Sequence, residues 1–255
     1  MCGIAGANLA PDENIDASVL ATALLLGIEE RGRDATGAAF FEGTQPLVQK
    51  TNMAASEFVE YLDMAPNVTN LILHTRWATQ GSPTVNANNH PVDVSGIVGV
   101  HNGVIYNDDS LFRRVSALTG ENKRTAEVDS EAIFATLLHG QETIPESLAR
   151  IDGSAAVAWF DTEGGDPDTM HVSRVSSSPF VYAYTEAGSF IFASTEKALR
   201  RGLAAVNLAV VGGPYNLTEG TYMRVRHGDV VGKSHFTQAG RARSLSAVER
   251  QALMV

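Results

Sequence analysis

Met1-Cys2-Gly3-Ile4-Ala5-Gly6-Ala7-Asn8-Leu9 decides how the rest of this chain is read. Residues 3–9 are a small, apolar run with the character of a buried strand, and directly before it stands Cys2, the only cysteine among 255 residues. Cysteine is small enough for the initiator methionine to be trimmed, which would leave a thiol and a free α-amine on one residue. Such an amine, with an ordinary pKa of about 8, is a base within reach of its own thiol. A lone thiol is also commonly an inert core residue, and Cys2 alone leaves both readings open.

The bulk numbers bound the class. With 44% hydrophobic content the chain can bury a full core, and one large domain is expected. Nineteen basic against 29 acidic residues give a net charge of −10, which repels nucleic-acid phosphates and anionic lipid surfaces. The two basic spots, Arg200-Arg201 and Arg241 with Arg243, read as a solvated helix end and tail. The longest apolar run, residues 17–28, is too short to span a bilayer and follows an acidic stretch. A cytosolic protein that binds neither nucleic acid nor membrane is expected, with no disulfide, metal or cofactor.

Short apolar strands are expected over 3–9, 37–42, 47–51, 71–75, 97–101, 155–161, 170–175, 180–184, 190–193 and 221–226. Helices are expected over 17–30, 56–62, 110–118, 130–139, 144–151 and 196–201. Thr143-Ile144-Pro145-Glu146 has the form of a capping box, with proline in the first turn. Continuous apolar strands such as Ala155-Ala156-Val157-Ala158-Trp159-Phe160 belong in sheets covered by helices, which makes the fold a layered α/β (α+β) sandwich. Gly228-Asp229-Val230-Val231-Gly232-Lys233-Ser234 imitates a phosphate loop but is one residue short between its glycines, and is read as a strand-connecting turn.

Three segments carry candidate chemistry. In Leu71-Ile72-Leu73-His74-Thr75-Arg76-Trp77-Ala78-Thr79-Gln80-Gly81, a buried strand delivers polar groups to its end, and a long polar loop follows. Arg76 has the planar fork that matches a carboxylate, or it forms a structural ion pair. His101-Asn102-Gly103 is either a simple turn or a pair of donors, amide side chain and glycine N–H, converging on a developing oxyanion. Asp129, in Val128-Asp129-Ser130-Glu131, is either a helix cap or a carboxylate for a substrate ammonium. Arg31-Gly32-Arg33-Asp34 is a polar connector after the first helix.

Cys2-Gly3-Ile4, Arg31-Gly32-x-Asp34, His74-Thr75-Arg76-Trp77-Ala78-Thr79, His101-Asn102-Gly103 and the Asp129 block together resemble the glutaminase domain of class II glutamine amidotransferases, which are N-terminal-nucleophile hydrolases. The likeness is greatest to the glutaminase half of glucosamine-6-phosphate synthase. It implies a four-layer αββα sandwich, with a glutaminase domain over residues 2–232 and a polar tail over 233–255. It also implies roles: Cys2 as nucleophile with its amine as base, and Asn102 and Gly103 as the oxyanion hole. Arg76 and Thr79 would hold the α-carboxylate of L-glutamine, Asp129 with the Gly103 carbonyl its α-ammonium, and Trp77 would close over the site. Gln80 departs from the pattern, standing where the nearest relatives carry histidine.

No synthase signature follows residue 232. The expectation is therefore a free-standing glutaminase that passes ammonia to a separate synthase subunit. An N-terminal-nucleophile hydrolase of another amide, and a glutamine-binding regulatory module, are the rival readings.

Overall fold

The computed structural model describes residues 1–239; Arg241, Arg243 and most of the expected polar tail lie outside the described residues. In chain order the first strands are β1 (Gly3–Asn8), β2 (Ala35–Phe41), β3 (Pro46–Thr51), β4 (Asn70–Arg76), β5 (Val92–Asp93) and β6 (Ile97–Ile105). They are followed by β7 (Gly153–Asp161), β8 (Thr169–Arg174), β9 (Val181–Tyr184), β10 (Phe190–Ala193), β11 (Tyr215–Asn216), β12 (Thr221–Arg226) and β13 (Asp229–His235). The helices are α1 (Ala17–Ile28), α2 (Ala55–Phe58), α3 (Asp108–Thr119), α4 (Ser130–His139), α5 (Ile144–Ala149) and α6 (Glu196–Ala205).

The strands form two antiparallel sheets, one in the order β11-β9-β10-β1-β4-β2-β3 and the other β13-β12-β8-β7-β6-β5. Side-chain alternation along each strand builds the layers. On β4, Leu71 and Leu73 join a core with Leu20, Leu24 and Ile28 of α1, while Ile72 faces the other way and meets Ile4, Val98, Val100 and Phe160 between the sheets. On the second sheet Ala155, Val157 and Trp159 face outward and pack against Val115 of α3, Ile133 and Phe134 of α4 and Leu148 of α5. Four layers result, helix, sheet, sheet, helix. Each fully buried Leu, Ile or Phe contributes about 1.5–3 kcal/mol of transfer free energy.

Local chemistry explains where elements begin. Asp16 caps α1, its carboxylate accepting from the N–H groups of Ser18 at 2.9 Å and Val19 at 3.3 Å. Glu146 reaches back to the Thr143 N–H at 2.9 Å, completing the capping box of α5. Arg200 pairs with Glu196 at 2.7 Å on the solvated face of α6.

Several expectations are corrected. Residues 229–235 are a strand and not a turn, because they pair with β12 from Arg226↔Asp229 to Thr221↔His235. The expected domain boundary at 232/233 thus falls inside β13. Beyond it, Phe236 packs on the outer core and Gln238 donates to Ile151 O at 2.9 Å. The helix expected over 56–62 is only the four residues of α2. The strand expected to stop at His101 continues to Ile105, held by β7 through Ile105↔Gly153. Among the described residues no helix is long and apolar enough to cross a membrane.

Candidate active site

Register places the chain start beside the end of β4. Gly3 pairs with Thr75, and the Cys2 Sγ lies 3.6 Å from the Trp77 carbonyl, to which it donates. The Arg31 Nε donates to the Cys2 carbonyl at 2.8 Å and fixes the peptide behind the thiol. Asp34 accepts from the Ala78 N–H at 2.7 Å, while its own N–H donates to Arg76 O at 2.9 Å. Between them Gly32 lies so close to the Arg76–Trp77 backbone that a Cβ there would come within 2.3 Å of it. The polar connector after α1 is therefore the clamp that holds Cys2 against the end of β4.

The second sheet supplies the facing wall. Asn102 projects into the inter-sheet layer with Val98 and Val100, one residue beyond a cross-sheet bond in which the His74 Nε2 donates to the His101 carbonyl at 3.0 Å. Burial pushes the His74 pKa down to about 3, so this ring is neutral. Gly103 follows with φ +149°, and a Cβ there would lie 1.8 Å from the Ser154 carbonyl, so only glycine fits. The Asn-Gly pair thus lies inside β6, paired in unbroken register with Ala156 and Ala155 of β7, and is not a turn.

Cys2, Trp77, Thr79, Asn102 and Gly103 line one cavity of about 460 Å3. The Nδ2 of Asn102 is buried and has no hydrogen-bond partner among the described residues. Burial also pushes the Cys2 thiol pKa up, opposed by the positive chain terminus and Arg76 and reinforced by Asp129. Trp77 stands at the rim, 56% exposed. Among the described residues no group of three or more His, Cys, Asp or Glu side chains is arranged to hold a metal ion.

Arg76 and Asp129 are close enough to act on the thiol electrostatically, yet neither is part of the cavity lining. The Arg76 guanidinium turns into the following loop and donates to Asn89 Oδ1 at 2.9 Å and to the carbonyls of Gln80 and Gly81. It is no ion pair. Asp129 is no helix cap: it is already helical, makes no capping bond, and accepts from the Ile105 N–H at 2.7 Å. The loop itself is tied to the segment before α4, where Asn88 and Glu127 exchange two hydrogen bonds of 2.9 Å.

Met1, Val104, Tyr106, Ser154, Ser177, Ser178 and Pro179 complete the cavity wall, and none of them was among the expected site residues. The run Ser176-Ser177-Ser178-Pro179 after β8 was a legible signal for part of it.

A family model described as a glutamine amidotransferase domain matches residues 74–201, just over half of the chain. Glutamine–fructose-6-phosphate aminotransferase (isomerizing) of Pseudomonas aeruginosa is 33% identical over 212 residues, covering 79% of this chain and 33% of that protein. The Halalkalibacterium halodurans enzyme of the same name is 33% identical over 187 residues, 69% of this chain and 29% of that one. This chain spans about a third of the length of the curated relatives it matches. Among solved structures, the glutamine phosphoribosylpyrophosphate amidotransferase of B. subtilis superposes with a TM-score of 0.73 at 16% identity, over 92% of this chain and 49% of that one, a likeness of fold. The chain therefore belongs to the glutamine amidotransferase domain family, as a class II glutaminase-type domain with the N-terminal-nucleophile fold.

Proposed function

We propose that this domain hydrolyses L-glutamine to glutamate and ammonia through a thioester on Cys2. The observation that carries the reading is the buried, unpartnered Nδ2 of Asn102 in the same cavity as the thiol. A buried amide donor without an acceptor costs about 1–3 kcal/mol, which is recovered when an oxyanion forms in front of it.

The steps follow from the residues present. Burial raises the thiol pKa, so little thiolate exists unaided, and the α-amine freed by loss of Met1 takes the proton. Sulfur attacks the carboxamide carbon, and the oxyanion accepts from Asn102 Nδ2 and the Gly103 N–H. Collapse expels ammonia with the proton returned by the Cys2 ammonium, leaving the thioester. The same amine then deprotonates water, which attacks the thioester; glutamate leaves and the thiol regains its proton. Arg76 with Thr79 serves the α-carboxylate, Asp129 with the Gly103 carbonyl serves the α-ammonium, and Trp77 covers the cavity. The ammonia passes to a separate acceptor-activating subunit.

A hydrolase of simpler amides is the second reading, favoured by one observation: the Arg76 guanidinium is already engaged with loop carbonyls. Ammonia release from L-glutamine in the wild type and in Asn102→Ala tests the first. The variant is expected to lose about a hundredfold or more in kcat with little change in KM. A wild type that hydrolyses a primary amide lacking the amino-acid head group as fast as L-glutamine would refute the glutamine reading. Affinity capture that recovers no synthase-type protein would refute the subunit reading.

A further inference from the structure

Behind the cavity a chain of hydrogen bonds runs from Asp129 through His101 of β6, the strand that carries Gly103, to Ser154 of β7. The Asp129 Oδ1 lies 3.4 Å from the Ser130 hydroxyl, the hydroxyl lies 2.9 Å from the His101 Nδ1, and the His101 Nε2 lies 3.4 Å from the Ser154 carbonyl. That last contact crosses the space left open by Gly103, whose missing Cβ would be 2.8 Å from the His101 Nε2. His101, Ser130 and Asp129 are all buried. The other Asp129 oxygen is taken by the Ile105 N–H.

Counting protons shows what the chain lacks. Both ends are acceptors only, a carboxylate and a carbonyl. Between them stand one hydroxyl, with one proton, and one imidazole. Burial lowers the His101 pKa although Asp129 pulls it up, so the ring is neutral and carries a single N–H. Two protons therefore serve three contacts. Either Ser130 donates to Asp129 and the His101 Nε2 faces the Ser154 carbonyl bare, or Ser130 donates to Nδ1, Nε2–H donates to Ser154, and Asp129 Oδ1 is left without a donor. An external donor at Asp129 Oδ1 satisfies all three positions.

We propose that Asp129, Ser130 and His101 form a relay one donor short of completion, which an α-ammonium group docking on Asp129 Oδ1 completes. His101 is then a positioning residue: by taking the Ser130 proton it leaves Asp129 Oδ1 open to an α-amino acid head group. The inference rests on the glutamine reading of the site and deepens it. It also gives a reason for a buried serine where α4 begins: its hydroxyl faces an imidazole and a carboxylate, and α4 has no side-chain cap.

The test labels the Cys2 thiol with the diazoketone analogue of L-glutamine and with its des-amino counterpart, which keeps the carboxylate but lacks the ammonium. Intact mass against time gives the two rates. Wild type should react much faster with the amino compound. His101→Phe, which leaves the Ser130 proton to Asp129 Oδ1 and so satisfies that oxygen from within, should lose about tenfold of that preference, the scale of one hydrogen bond to a charged group. Ser130→Ala, which removes the competing proton and leaves Asp129 Oδ1 without a donor, should keep the preference or raise it. A preference that persists unchanged in His101→Phe overturns the relay alone. A preference lost in Ser130→Ala as it is in His101→Phe marks both side chains as merely structural and also overturns it. Equal rates of the two compounds in wild type overturn the glutamine reading and the relay with it.

Discussion

Acid should destabilise this fold through its buried histidines, and His90→Phe should remove a measurable part of that sensitivity. His74 and His90 stack with ring centroids 4.1 Å apart and planes 22° from parallel. Burial pushes the His74 pKa down to about 3 and holds that of His90 well below 6.5. As the pH falls through 6.5, the unfolded chain binds a proton on each ring that the folded chain refuses. Stability is therefore full above the unfolded pKa and is lost as the pH drops toward the folded one. Each such histidine removes about 1.4 kcal/mol per pH unit, or about 2 kcal/mol between about pH 6.5 and pH 5.

The substitution is chosen because neither His90 nitrogen has a partner among the described residues, so an apolar ring gives up no hydrogen bond and still stacks on His74. At pH near 7 the variant should unfold in urea within about 1.5 kcal/mol of wild type. At pH near 5 the wild type should have lost about 2 kcal/mol more than the variant. Carboxylates with lowered pKa values, such as Asp16 and Glu142, add acid sensitivity of their own, but they do so in both proteins and cancel in the difference. Equal pH slopes for the two proteins would refute the reasoning, since His90 would then titrate as an exposed ring does.

Three further outcomes are expected. Active protein should show the mass of a chain without Met1, and full turnover by a chain that retains it would rule out the amine as base. Gly103→Ala should lower ammonia release by at least about a hundredfold and stability by about 1–3 kcal/mol, because its Cβ meets the Ser154 carbonyl at 1.8 Å; kinetics and urea unfolding read both, and a near-normal variant would exclude this close approach. In steady-state kinetics Arg76→Ala and Asp129→Ala should each lose about a hundredfold or more in kcat/KM for L-glutamine and little for a primary amide without the head group, and equal losses on both substrates would assign these residues to the fold.

The layers were legible because they follow from short-range rules. The all-apolar runs 155–160 and 71–73 report burial directly, and the capping box at Thr143 is complete within four residues. Cys2, Asn102 and Gly103 were legible as residue types, and the structure brings them to one cavity. The strand β13 was hidden because its sequence alternates exposed and half-buried positions at a sheet edge, with glycine in the middle. Nothing in such a segment separates edge strand from turn until β12 is seen beside it.

Asp129 shows where local rules stop. Its sequence context, a short acidic residue before an apolar helical run, fits an N-cap, and the helix does begin at the next residue. A capping aspartate needs extended backbone so that its carboxylate can turn back onto the first N–H groups, but Asp129 has φ −60° and ψ −30° and is already helical. Its carboxylate therefore points away from the helix, where the Ile105 N–H, 24 positions earlier, takes one oxygen. The other faces the Ser130 hydroxyl at 3.4 Å, a weak contact for a buried charge. Two torsion angles thus separate a structural carboxylate from one with bonding capacity to spare, and the partner that takes its first oxygen lies on β6, out of reach of any rule read from the residues around Asp129 in sequence.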